Sequence, residues 1–162
     1  MQYYVLLIGL LLCCSAFFSG SETAVMALNR YRLQHKALKN NQIQAQRLWR
    51  LLAKPERLLS MILIGNTFAN IMLSSLCTWV TLETLGSEWI VIMSIAITFV
   101  VLIFAEVLPK TLAAHFADSL AYKASGMLEF LFRLCYPIIL MMESVLNKNQ
   151  MVIFLHSCKE MD

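Results

Sequence analysis

The chain has 162 residues, of which 59% are hydrophobic and 14% charged, with a net charge of +3 and a mean hydropathy of +0.68. A soluble domain carries about 25% charged residues, so the composition places the chain among membrane proteins, and a net charge this small gives no case for a nucleic-acid partner. Cys13, Cys14, Cys77, Cys135 and Cys158 form no CxxC pair, and His35, His115 and His156 are scattered. Neither a disulfide framework nor a zinc site is expected.

The first apolar run extends from about residue 3 to residue 28, with Tyr3 and Tyr4 as interfacial aromatics at its outer end. No basic residue precedes it, and Phe17-Phe-Ser-Gly-Ser-Glu22 is a poor cleavage site, so it reads as a retained span rather than a signal peptide. Residues 30–54 turn polar, and Leu33, Leu38, Ile43, Leu48, Leu51 and Leu52 fit two short amphipathic helices broken near Asn40-Asn41. Pro55 suits the start of the next helix. The second span, residues 58–82, carries no charge, and 25 residues of helix reach about 37 Å, enough to cross a bilayer. Trp79 and Trp89 flank a short loop and mark one interface, and the third span covers residues 89–108. Residues 119–147 are apolar in bulk but contain Lys123, Glu129, Arg133 and Pro137. They read as an amphipathic helix bent near Pro137, lying on the membrane or against the bundle, with a fourth span as the competing reading.

The expected fold is therefore an all-α membrane protein, with three transmembrane helices and cytoplasmic juxtamembrane amphipathic helices. Arg30, Arg32, Lys36, Lys39, Arg47, Arg50, Lys54 and Arg57 lie between spans one and two, and Lys110, Lys123, Arg133, Lys148 and Lys159 follow span three. The positive-inside rule then puts the N-terminus outside and residues 29–57 and the C-terminus in the cytoplasm.

Three polar insertions interrupt the apolar runs. Ser15 and Ser19 share one helix face, as do Asn66 and Asn70, and Glu106 ends the third run. A carboxylate at that depth needs a partner. Each neutral pair can serve simply as back-bonding to its own helix or as glue between helices. Gly20 and Gly65, however, allow a carbonyl to bend toward a ligand or a neighbouring helix to approach. Hydroxyl, amide, carbonyl and carboxylate oxygens together suit Mg2+ or Na+. Glu22 and Lys110 are placed to pair, and Pro109 removes a backbone donor, freeing the carbonyl of position 105 on an α-helical count. No nucleophile–base arrangement, P-loop or dinucleotide motif occurs, so the chain does not read as an enzyme.

Phe18-Ser-Gly-Ser-Glu-Thr-Ala24, Asn29-Arg-Tyr-Arg-Leu33, Ile64-Gly-Asn-Thr-Phe-Ala-Asn-Ile71 and Phe104-Ala-Glu-Val-Leu-Pro-Lys-Thr111 closely resemble the membrane domain of the CorB/CorC proteins. These are prokaryotic relatives of the CNNM (cyclin M-like) metal-transport mediators, and the spacing is most like bacterial CorB. The resemblance covers residues 3–147 and assigns 1–147 to a CNNM-like transmembrane domain. It implies a homodimer in the lipid of a bacterial inner membrane and Na+-coupled efflux of Mg2+ from an inward-facing cavity. Carried onto matching positions, the implied ligands are Ser15, Ser19, Gly65 with Asn66 in a Gly-Asn turn, Asn70 and Glu106. Ser21 matches with lower weight. In the family a pair of CBS modules that bind ATP usually follows; residues 148–162 do not resemble the start of one, so CBS-mediated ATP binding is not expected here. The alternative is a truncated, non-transporting assembly subunit or a remnant.

Overall fold

The computed structural model describes residues 2–38 and 42–135. Helix α1, Gln2–Ala27, is followed by α2, Arg30–Leu38, and α3, Ile43–Leu51. Helix α4, Pro55–Thr84, leads through a short 3-10 turn, Ser87–Trp89, into α5, Ile90–Val100. A π-helical stretch, Val101–Val107, joins α5 to α6, Leu108–His115, and residues 117–135 are helical and are called α7. Among the described residues three segments are long and apolar enough to cross a membrane: Gln2–Ala27, Pro55–Thr84 and Ser87–His115. The protein is an all-α membrane protein.

Local chemistry sets the breaks. The α1 helix stops before Asn29, whose Oδ1 accepts the N–H groups of Tyr31 (3.1 Å) and Arg32 (3.2 Å). That is N-capping of α2 by an asparagine. Pro55 opens α4, where its missing N–H costs nothing, and Glu56 adds a favourable charge in the first turn. At its far end the Leu85 and Gly86 N–H groups both bond the Thr81 carbonyl. Gly86 then turns the chain at φ 92°, a conformation that favours glycine.

Pairs of contacts fix helix direction. Tyr4 meets Trp79 edge-on at 5.0 Å, whereas Phe18 packs on Gly65, so α1 and α4 run antiparallel. Ser19 meets Glu106 and Glu22 meets Lys110, so the third span runs parallel to α1. The buried apolar cluster lies at one end of the bundle rather than in its middle. It joins Ala24, Val25 and Leu28 of α1 and its exit to Leu33, Leu48, Leu58, Ile62, Ala113, Ala121 and Leu128. Elsewhere the spans expose large apolar side chains such as Leu6, Ile71, Ile92 and Phe99, as a lipid-facing surface does.

The described part of α7 is amphipathic. Its buried positions Ala121, Ala124, Ser125 and Leu128 repeat at helical spacing. Ion pairs tie its polar flank to the belt formed by α2 and α3: Arg32 to Asp118 at 3.2 Å and Arg47 to Glu129 at 3.2 Å. The predicted bend at Pro137, and the remainder of the segment proposed as amphipathic, lie outside the described residues.

Candidate functional site

Ser15 sits in mid-span on the face of α1 that meets α4, fully buried beside Asn66. Its Oγ is 3.0 Å from Asn66 Oδ1 and 2.6 Å from Asn70 Oδ1. The i, i+4 spacing in α4 is what delivers both amides to one hydroxyl. A hydroxyl carries a single proton, so Ser15 can donate in only one of these contacts. The other calls for one amide turned to present its NH2, or for a cation shared among three oxygens.

One turn along α1, the buried Ser19 Oγ donates to the backbone carbonyl of Glu106 at 3.4 Å. That carbonyl belongs to the π-helical stretch, where the Leu108 N–H reaches back five residues to Ile103. Widening of this kind is frequent at functional sites. Pro109 lies just beyond it and has no N–H to give back to a carbonyl of this stretch. Helix α6 comes close to α1 at Gly20, where an added Cβ would stand 3.5 Å from both the Cβ and the carbonyl oxygen of Pro109, an ordinary van der Waals contact.

The Glu106 carboxylate does not join the Ser15 cluster. It accepts from Lys110 Nζ at 3.2 Å on the same helix, and Lys110 also lies 3.8 Å from Glu22 Oε2. Pairing of Glu22 with Lys110 was legible in the sequence. The stronger partner, Glu106, was not named, although its signal is plain in the Glu-to-Lys i, i+4 spacing.

Gly65 differs in role from the turn implied by resemblance. Helix α4 is continuous from Pro55 to Thr84, and a Cβ at Gly65 would stand 2.6 Å from the Cε1 and Cζ of Phe18. The glycine makes room for a ring from α1, and the departure from α-helical register occurs in the third span instead. Ser21 is buried. Among the described residues no three of His, Cys, Asp and Glu gather at metal-binding spacing; the oxygens at this site come mainly from neutral side chains and carbonyls.

Fold and site together define a three-span helical membrane domain with a buried cluster of hydroxyl and amide oxygens. Residues 6–154 match the model of the cyclin M transmembrane N-terminal domain, and the chain belongs to that family. The UPF0053 inner membrane protein YfjD of Escherichia coli is 47% identical over 131 residues, 81% of this chain and 30% of that protein. A UPF0053 protein of Haemophilus influenzae is 38% identical over 151 residues, 93% of this chain and 35% of its own length. A chloroplastic DUF21 domain-containing protein of Arabidopsis thaliana is 29% identical over 133 residues, 82% of this chain and 20% of its own. The chain thus spans about a third of the length of its bacterial relatives.

Proposed function

We propose that this chain is the ion-handling membrane domain of a magnesium transporter, acting without covalent catalysis as a homodimer in a bacterial inner membrane. Membership of the cyclin M transmembrane family and similarity to a protein described as an inner membrane protein support that reading. The basic belt supports an orientation with the N-terminus outside and the cytoplasm on the side of α2, α3 and α7.

The observation that carries the proposal is the convergence of Ser15 Oγ with the side-chain amides of Asn66 and Asn70, at 3.0 and 2.6 Å, in one buried spot. Three hard neutral donors in one buried spot are chemically suited to Mg2+. Ser19 and the Glu106 carbonyl stand one turn away. The Glu106 carboxylate supplies the charge that neutral donors lack, and Mg2+ dehydrates reluctantly, so it keeps several waters there. Gly65 acts by admitting Phe18 and so setting the spacing of α1 and α4. Export driven by Na+ entry, from a cavity open to the cytoplasm, completes the reading.

Isothermal titration of Mg2+ into the detergent-solubilised chain tests it, with Glu106→Gln as the control. Saturable binding that Glu106→Gln weakens at least about tenfold is the expected result. The rival is a non-transporting subunit, in which the Ser15, Asn66 and Asn70 contacts are interhelical glue. It predicts no Mg2+ heat in either protein, and weakened association in Asn70→Ala.

A further inference from the structure

Lys110 places one ammonium between two carboxylates on different helices. Its Nζ is 3.2 Å from Glu106 Oε1 and 3.8 Å from Glu22 Oε2. The approach of Gly20 to Pro109 builds this arrangement, because it sets the neighbours of those two residues, Glu22 and Lys110, across the same contact. All three side chains are partly shielded, with 39% exposure for Lys110, 44% for Glu106 and 26% for Glu22.

The three groups sum to one negative charge. A divalent cation at Glu106 meets an ammonium already on that carboxylate, and the two repel. Lysine is a compact point charge on a flexible stem with three donors, so it can slide from one carboxylate to the other without ever losing an ion pair. Glu22 gives it somewhere to go. A fixed arginine fork or a lone Glu–Lys pair offers no such exit.

We propose that Lys110 is a tethered competing cation: it occupies Glu106 while the site is free of ion and passes to Glu22 when Mg2+ takes the Glu106 carboxylate. The proposal rests on the reading of Glu106 as an ion ligand. Its consequence is a site held at moderate affinity, since a translocated ion must bind well enough to enter and weakly enough to leave. Return of the ammonium to Glu106 helps to displace the ion.

A double-mutant cycle on the full chain in detergent tests it, with Mg2+ affinity read by titration calorimetry and folding by thermal unfolding without Mg2+. A unit charge about 4–5 Å from a divalent cation alters its affinity roughly twentyfold at the dielectric constant of water, and salt screening reduces this toward about tenfold. Lys110→Met should therefore bind Mg2+ about tenfold more tightly, and Lys110→Arg should fall between it and the unaltered chain. Glu22→Gln should weaken binding when Lys110 is present, because the ammonium then has only Glu106. In the Lys110→Met background the same change should do much less.

A folded Lys110→Met protein whose affinity is unchanged or weaker overturns the proposal. So does a Glu22→Gln effect of equal size in both backgrounds, since a purely structural ion pair moves the unfolding temperature and leaves the cycle uncoupled. If Lys110→Met does not fold, Lys110→Gln carries the same expectations. Mg2+ binding that Glu106→Gln abolishes but Lys110→Met leaves untouched refutes this inference and spares the function proposed above. Absence of binding in the unaltered chain removes both.

Discussion

Gly65 is the position at which one methyl group should be felt most. An alanine Cβ there lies 2.6 Å from Phe18 Cε1 and Cζ and 3.0 Å from Cε2. Carbon atoms settle at about 3.5–4.0 Å, so the ring must retreat by roughly 1 Å. The ring already stands edge-on to Phe17 at 5.8 Å, which limits the rotations open to it. If α1 and α4 part instead, the 3.0 Å contact of Ser15 with Asn66 stretches to about 4 Å, past any hydrogen bond. Overpacking of this kind costs about 1–3 kcal/mol, and replacing glycine inside a helix returns about 1 kcal/mol. Gly65→Ala should therefore lose roughly 0–2 kcal/mol of stability and weaken Mg2+ binding together with it. Thermal unfolding and Mg2+ titration in the same detergent measure both. Adding Phe18→Ala should remove the clash and show a favourable coupling of about 1–2 kcal/mol. A Gly65→Ala protein of unaltered affinity, or additive single and double variants, refutes the account of this glycine.

Glu129 takes Arg47 at 3.2 Å, Arg133 at 3.4 Å and Arg50 at 3.8 Å. The arginines are well exposed, so each pair contributes about 0.2–1 kcal/mol, but Glu129→Gln also leaves three like charges together. A loss of about 1–2 kcal/mol, smaller at high salt, should appear in unfolding at two ionic strengths; insensitivity to salt would count against the ion-pair origin. Tyr122 tests the belt by pH. Burial, then the charge of Asp118, raises its phenol above the ordinary value of 10.0, with Arg32 opposing. A folded-state pKa raised above the unfolded one leaves stability intact below about pH 10 and erodes it as pH rises further. Its hydroxyl is buried with no hydrogen-bond partner among the described residues, so Tyr122→Phe should cost little at neutral pH and flatten the alkaline decline.

The spans and the belt were legible because lipid imposes a simple grammar. Long runs without charge read as membrane helices, and the basic residues of 30–57 mark a different solvent. Spacing also paired Ser15 with Ser19 and Asn66 with Asn70 on their helix faces. It did not show that Ser15 alone collects both amides, which depends on the antiparallel register of α1 and α4. That register turns on Phe18 meeting Gly65, a contact between residues 47 positions apart that no local pattern encodes.

The third span shows the same boundary more sharply. Proline after an apolar run announces a disturbed helix, so a disturbance near Glu106 was visible in the sequence. Its form was not: seven residues, Val101–Val107, widen into a π-helix rather than kinking at one peptide. Widening changes where each later side chain points, since a turn then takes more residues. The outcome is that the Glu106 backbone faces Ser19 while its carboxylate turns to Lys110. A regular α-helix through the same residues would rotate those two groups relative to α1. The π-helical stretch thus separates two tasks at one residue, with its carbonyl near the neutral oxygens and its charge held by Lys110. Reorienting that carboxylate toward Ser15 requires either release by Lys110 or a change of helical register, and the second would also turn Ala113 of α6 within the buried cluster.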